Sequence, residues 1–142
     1  MQRVTRAVIA AAALSILAFG GVTAANAASA IPLSNGQETT DAKGGAHGKF
    51  SYTIAGSQFC YTLSVTGLTD GAVAAHIHGA PRHVAGSVLI PLVVPNETSF
   101  DVARCTTADA MLLAAIQANP RAYYVNVHTP MYPGGEVRGQ LK

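Results

Sequence analysis

The chain has 142 residues, of which 49% are hydrophobic and only 11% charged, with a formal net charge of +2 at pH 7. Arg3 and Arg6 supply that excess, and the rest of the chain carries seven basic residues against seven acidic ones. A near-neutral domain has no electrostatic reason to seek nucleic acid or anionic lipid, which excludes the polybasic binding classes.

At the start, Val8–Phe19 is almost wholly apolar behind the two arginines, and Ala25-Asn26-Ala27 fits the small-x-small cleavage rule. Residues 1–27 are therefore expected to be a cleaved signal peptide, with cleavage after Ala27 and a single domain over residues 28–142. The apolar run is short for a bilayer span of ~20 residues, and no second segment reaches that length. The expected mature chain thus has no membrane span and is secreted or periplasmic. In that setting the two cysteines most simply form one disulfide, Cys60–Cys105. Closing a loop of that length stabilises the fold by about 4 kcal/mol in the chain-entropy account.

Ile31-Pro32-Leu33 predicts a short edge strand, where proline is tolerated. Gly36 to Gly48 is polar and reads as a loop. Phe50, Tyr52 and Ile54 then share one face of a strand, and Phe59, Tyr61, Leu63 and Val65 share one face of the next. Gly56-Ser57 between them suits a two-residue hairpin turn. Ala72–His78 predicts a strand with Val73, Ala75 and Ile77 on one face and Ala74, His76 and His78 on the other. Val88–Val94 is strand-like, with Pro91 marking an edge or a bulge, and Ser99–Ala103 adds a short strand. One short helix is expected over about Thr107–Asn119. Thr106 and Asp109 resemble a capping box there, Leu112, Ala115, Ile116 and Asn119 recur at helical spacing, and Pro120 ends the run. The chain closes on Tyr123–Leu141, a hairpin in which Val125, Val127, Val137 and Leu141 alternate with polar residues around a Pro-Gly-Gly turn signal. The predicted class is all-β: an antiparallel β-sandwich or small barrel with one helix.

Several segments match a known family in order and spacing. They are Leu33-Ser34-Asn35-Gly36-Gln37-Glu38, Ala75-His76-Ile77-His78-Gly79-Ala80, Tyr124-Val125-Asn126-Val127-His128-Thr129, and Pro133-Gly134-Gly135-Glu136-Val137-Arg138-Gly139-Gln140-Leu141. In these the chain resembles the CHRD (chordin-type) domain family across essentially all of residues 28–142. The resemblance implies an all-β extracellular domain, of a kind found in a growth-factor-binding protein and alone in bacterial exported proteins. It implies no catalytic residues. One departure is Pro81-Arg82-His83-Val84-Ala85, which separates the AHIHG segment from Gly86 where the family usually has an earlier glycine.

Independently of the family, His76 and His78 are two apart on a strand and project from one face, with Cα atoms ~6.5–7 Å apart. That spacing lets both imidazoles reach one ion, and His128 supplies a third ligand if its strand lies alongside. Glu136 or Glu38 could add an oxygen, and an imidazole-rich set suits zinc or copper. A second reading assigns His76, His78, Asn126, His128, Glu136, Arg138 and Gln140 to a hydrogen-bonded network that fixes strand register beneath covering loops.

No Gly-x-Ser-x-Gly elbow, phosphate loop or dinucleotide fingerprint is present. The expected function is a non-catalytic exported domain that binds a protein or cell-surface partner or serves a structural role. Contact is expected at the loops Gly79–Gly86 and Thr129–Gly135, the latter carrying Pro130, Met131 and Tyr132. The alternative is a zinc- or copper-binding protein or metalloenzyme centred on His76, His78 and His128.

Overall fold

The structure is a computed structural model that describes residues 29–142; the expected signal peptide and its cleavage after Ala27 lie outside the described residues. Eight strands and one α-helix follow in order: β1 (Ile31–Ser34), β2 (His47–Ala55), β3 (Gln58–Thr66), β4 (Ala74–Gly79), β5 (Ser87–Leu92), β6 (Phe100–Thr107), α1 (Ala110–Ala118), β7 (Tyr123–His128) and β8 (Val137–Gln140). They form one antiparallel sheet in the order β5-β4-β7-β8-β1-β2-β3-β6. The sheet curls into a nearly closed barrel, the smaller of the two architectures that the alternation predicts. No helix among the described residues is long and apolar enough to cross a membrane.

Period-2 alternation explains the core. Phe50 on β2 and Phe59, Tyr61, Leu63 and Val65 on β3 turn inward, where they meet Ile77, Ile90, Val125, Val127 and Val137. Phe50 and Phe59 are completely buried and stack at 6.4 Å between ring centroids. Tyr61 spans the opening between the two sheet edges: its hydroxyl accepts from the Val93 amide at 2.8 Å and donates to the Val93 carbonyl at 3.0 Å. Helix α1 adds Leu113 and Ile116 to the same interior.

The β2–β3 hairpin turns through Gly56-Ser57 as expected, with Gly56 at φ +59. Three expectations need correction. Ile31–Leu33 is not at the sheet edge: β1 lies between β2 and β8. Its register with β8 is the single pair Ser34↔Arg138, which leaves Pro32 little ladder to break. The strand expected over Ser99–Ala103 runs on to Thr107, because Cys105, Thr106 and Thr107 pair with Cys60, Phe59 and Gln58. The helix therefore starts at Ala110, later than the expected Thr107. Its cap is Asp109, which accepts from the Leu112 amide at 2.9 Å, and its buried stripe is Leu113 and Ile116.

The disulfide expected from composition is present, joining directly opposed residues of β3 and β6, with 2.06 Å between the sulfurs. Pro91 falls on β5, a true edge strand, and the β4–β5 register shifts between Ile77 and His78.

Candidate metal centre on the outer face of the sheet

The tail hairpin and the AHIHG strand become neighbours because β4 pairs with β7 and β7 with β8. Ala74 lies opposite His128, His76 opposite Asn126 and His78 opposite Tyr124. On the other side of β7, Asn126 faces Arg138 and Tyr124 faces Gln140. Alternation sends Val125, Val127, Ala75 and Ile77 into the core, so the remaining side chains of these strands share the outer face. His76 and His128 are diagonal neighbours across the ladder, within reach of two long side chains.

The three imidazoles meet there. His76 Nδ1 lies 2.9 Å from His128 Nε2, and one ligand-capable atom from each of His76, His78 and His128 falls within 4.8 Å of the others. His78 and His128 are buried, and His76 is half-buried. Backbone carbonyls set two of the tautomers. His78 Nδ1 is 2.8 Å from the Gly86 carbonyl and His128 Nδ1 is 3.0 Å from the Pro133 carbonyl. A carbonyl only accepts, so each Nδ1 carries the proton and donates, and each Nε2 keeps its lone pair. His76 Nδ1 then donates to His128 Nε2. His78 Nε2 is buried without a hydrogen-bond partner.

Electrostatics favour the neutral rings. Burial lowers the His128 pKa to about 4, assisted by the neighbouring His76 and His78 and opposed by the Pro133 bond. Burial also lowers His76, with His78 beside it, and lowers His78 against the pull of the Gly86 carbonyl. All three are therefore neutral imidazoles at neutral pH, the charge state that coordinates a metal.

Of the two proposed oxygen donors, neither joins the triad. Glu136 is fully buried but accepts from the Thr69 amide at 2.8 Å, the Thr69 hydroxyl at 3.0 Å and the Thr129 hydroxyl at 2.7 Å. Those bonds use both oxygens, and Glu136 is not among the groups that converge with the histidines. Its role is to pin the segment after β3 to the end of β7. Glu38 is buried beside Asn126, and desolvation raises its pKa to about 7 despite the attraction of Arg138. Glu38 Oε1, Asn126 Oδ1 and Arg138 Nε are, like His78 Nε2, buried without partners.

Arg138 bonds Gln140 directly, while Asn126 faces Arg138 across the β7–β8 ladder and donates its amide to the Gly134 carbonyl at 3.4 Å. Arg138 is completely buried and donates to the carbonyls of Val84 (2.9 Å) and Pro81 (2.8 Å) and to Gln140 Oε1 (3.2 Å). Gln140 donates to the carbonyls of Ala80 and Arg121, both at 2.8 Å. The expected covering loops are therefore real, and the polar side chains hold them down. Tyr123 and Tyr124 split between faces as the alternation predicts, with Tyr123 packed against the core. Sequence reasoning missed the weight of Tyr124, whose ring stacks on His78 at 4.8 Å with the planes 6° apart. It also missed the carbonyls of Gly86 and Pro133, since every residue has one and only the fold selects which face an imidazole. A groove of about 620 Å³ lies elsewhere, around Cys60, Cys105, Tyr52 and Arg104, and its lining holds no histidine or carboxylate.

Comparison with known proteins agrees with the motifs. The CHRD domain family model matches residues 29–141. No curated protein and no solved structure matches the chain significantly. With nearly every described residue inside that match, the chain belongs to the CHRD domain family.

Proposed function

We propose that this CHRD domain is an exported metal-binding protein that holds one zinc or copper ion on His76, His78 and His128. The observation that carries the reading is the convergence of three neutral imidazoles within 4.8 Å, two of them with carbonyl-fixed tautomers that leave Nε2 unprotonated. Metal-ligating histidines almost always donate their other N–H to a carbonyl or carboxylate, and His78 and His128 already do so. On a tetrahedral ion with bonds of about 2.0–2.1 Å, two ligand nitrogens lie roughly 3.3 Å apart. The His76–His128 pair at 2.9 Å has to open by a few tenths of an ångström, and His78 has to swing inward. Both are side-chain movements, and His76 must in addition carry its proton on Nε2 so that Nδ1 offers a lone pair. Three protein ligands leave a fourth position for an exchangeable group, and imidazole ligation favours copper(II) over zinc when both are supplied.

The reading in which the loops Gly79–Gly86 and Thr129–Gly135 meet a protein or cell-surface partner is less well supported. Much of their backbone hydrogen bonding is spent on the triad and its neighbours, although Met131 is 62% exposed at one tip. The cross-strand disulfide fits an oxidising compartment and so agrees with export.

Elemental analysis of the purified domain, followed by calorimetric titration of chelator-stripped protein with zinc and copper(II), tests the proposal. We expect one ion per chain and a higher melting temperature with metal. In His78→Ala and His128→Ala the affinity should fall by more than the ~100-fold that marks loss of an outer-shell partner. Absence of stoichiometric binding together with an unchanged melting temperature overturns it.

A further inference from the structure

We infer that Tyr124 and Arg138 are positioning residues of the histidine centre, acting on His78 through the Ala80–Gly86 segment; the inference rests on the metal-binding reading above. His78 is held at two places. Its ring face lies against Tyr124, 4.8 Å between centroids and nearly parallel, and its Nδ1 donates to the Gly86 carbonyl at 2.8 Å. These two supports are joined to each other: the Gly86 amide donates to the Tyr124 hydroxyl at 3.1 Å. His78, Gly86 and Tyr124 thus form a closed circuit in which the backbone of one glycine and one phenol fix one imidazole.

Arg138 secures the far side of that circuit. Its guanidinium carbon sits 3.3 Å from the Tyr124 ring centroid, and its nitrogens gather the carbonyls of Pro81 and Val84 at 2.8 and 2.9 Å. Gln140 takes the Ala80 carbonyl at 2.8 Å. The planar fork suits two carbonyls and an aromatic face at once, which a lysine ammonium cannot match. The segment it holds is tightly routed. His83 adopts φ +61, and a side chain at Gly86 would run into the Gly79 backbone. Complete burial of a guanidinium without a carboxylate in hydrogen-bond contact is costly, and here its donors are directed at the one loop that orients His78. The Pro81–Ala85 stretch ahead of Gly86 is held by the same carbonyl contacts.

Copper(II) titration of chelator-stripped protein, read by calorimetry and by electron paramagnetic resonance, separates positioning from mere stability. Tyr124→Phe deletes only the hydroxyl that receives the Gly86 amide, and Arg138→Lys keeps the charge but loses the fork. In both we expect affinity to fall about 10–100-fold, the range for losing an outer-shell partner, with an altered copper hyperfine splitting. Val65→Ala on β3, remote from the site, should lower the melting temperature while leaving affinity and spectrum unchanged. Wild-type affinity and spectrum in Tyr124→Phe overturn the inference while the metal reading stands. Failure of the wild-type protein to bind copper or zinc removes the metal reading, and this inference falls with it. Should Arg138→Lys not fold, Tyr124→Phe decides alone.

Discussion

Two stretches of the same sheet have the same alternating grammar and opposite fates. On β3, inward Phe59, Tyr61, Leu63 and Val65 are buried while outward Thr62 is exposed and Cys60 and Ser64 are half-buried. On β7 the inward Val125 and Val127 are buried, yet so are the outward Tyr124, Asn126 and His128. The β3 face is left open and braced by a disulfide. The β7 face is roofed by the segments 80–86 and 129–136, and its polar side chains answer the carbonyls of that roof. A polar outward face is therefore not by itself a solvent face. Where loops cover it, each polar group must find a partner, and the groups without one mark where chemistry can enter.

The comparison can be broken at its common support. Phe59→Ala empties the interior behind both faces and should destabilise by about 3–5 kcal/mol in denaturant unfolding, with histidine-face and disulfide-face probes lost together. Separate transitions for the two faces would contradict one shared core.

A second test uses acid. His128 titrates near 4 in the folded protein against an ordinary 6.5, so between those values the unfolded chain binds more protons. Stability of the metal-free protein should fall as pH drops from 6.5 to 4, by about 3 kcal/mol from this residue. His76 and His78 act in the same direction. Glu38, raised to about 7, acts in the opposite one, because the folded state holds its proton more tightly between 4.5 and 7. Glu38→Gln should steepen the acid loss and His128→Gln should flatten it. Identical slopes in wild type and His128→Gln would refute the assignment.

The smallest effect sharpens the contrast. Asn126→Ala takes the donor from the Gly134 carbonyl and empties space beneath the roof, and should cost about 1–3 kcal/mol. Thr62→Ala, on the open face, should stay within about 0.5 kcal/mol of wild type. Equal costs would mean that the roof does not distinguish the two faces.

Much of this was legible before any coordinates. The run Phe59–Val65 specifies a strand and its inward face, since period 2 is a local property of extended backbone. Two cysteines admit one pairing. His76 and His78 share a face because they are two apart, and the same alternation puts Asn126, Arg138 and Gln140 on one face of the tail hairpin. Helix onset was misjudged because Thr106 has a capping side chain and a strand partner, and the partner, Phe59 on β3, is 47 positions away in sequence. Glu136 was misplaced for a like reason: Thr69, which holds it, lies 67 residues off.

By itself the sequence determined the elements, the apolar faces, the disulfide and the family. Only the tertiary structure decided that β4 lies against β7 with His76 opposite Asn126, which brings His128 to the pair. It also decided which carbonyls, Gly86 and Pro133, set the imidazole tautomers. The physical reason is range. Side-chain alternation is set by neighbours one or two residues along the chain, whereas strand order and register are set by pairings whose partners the local pattern does not name.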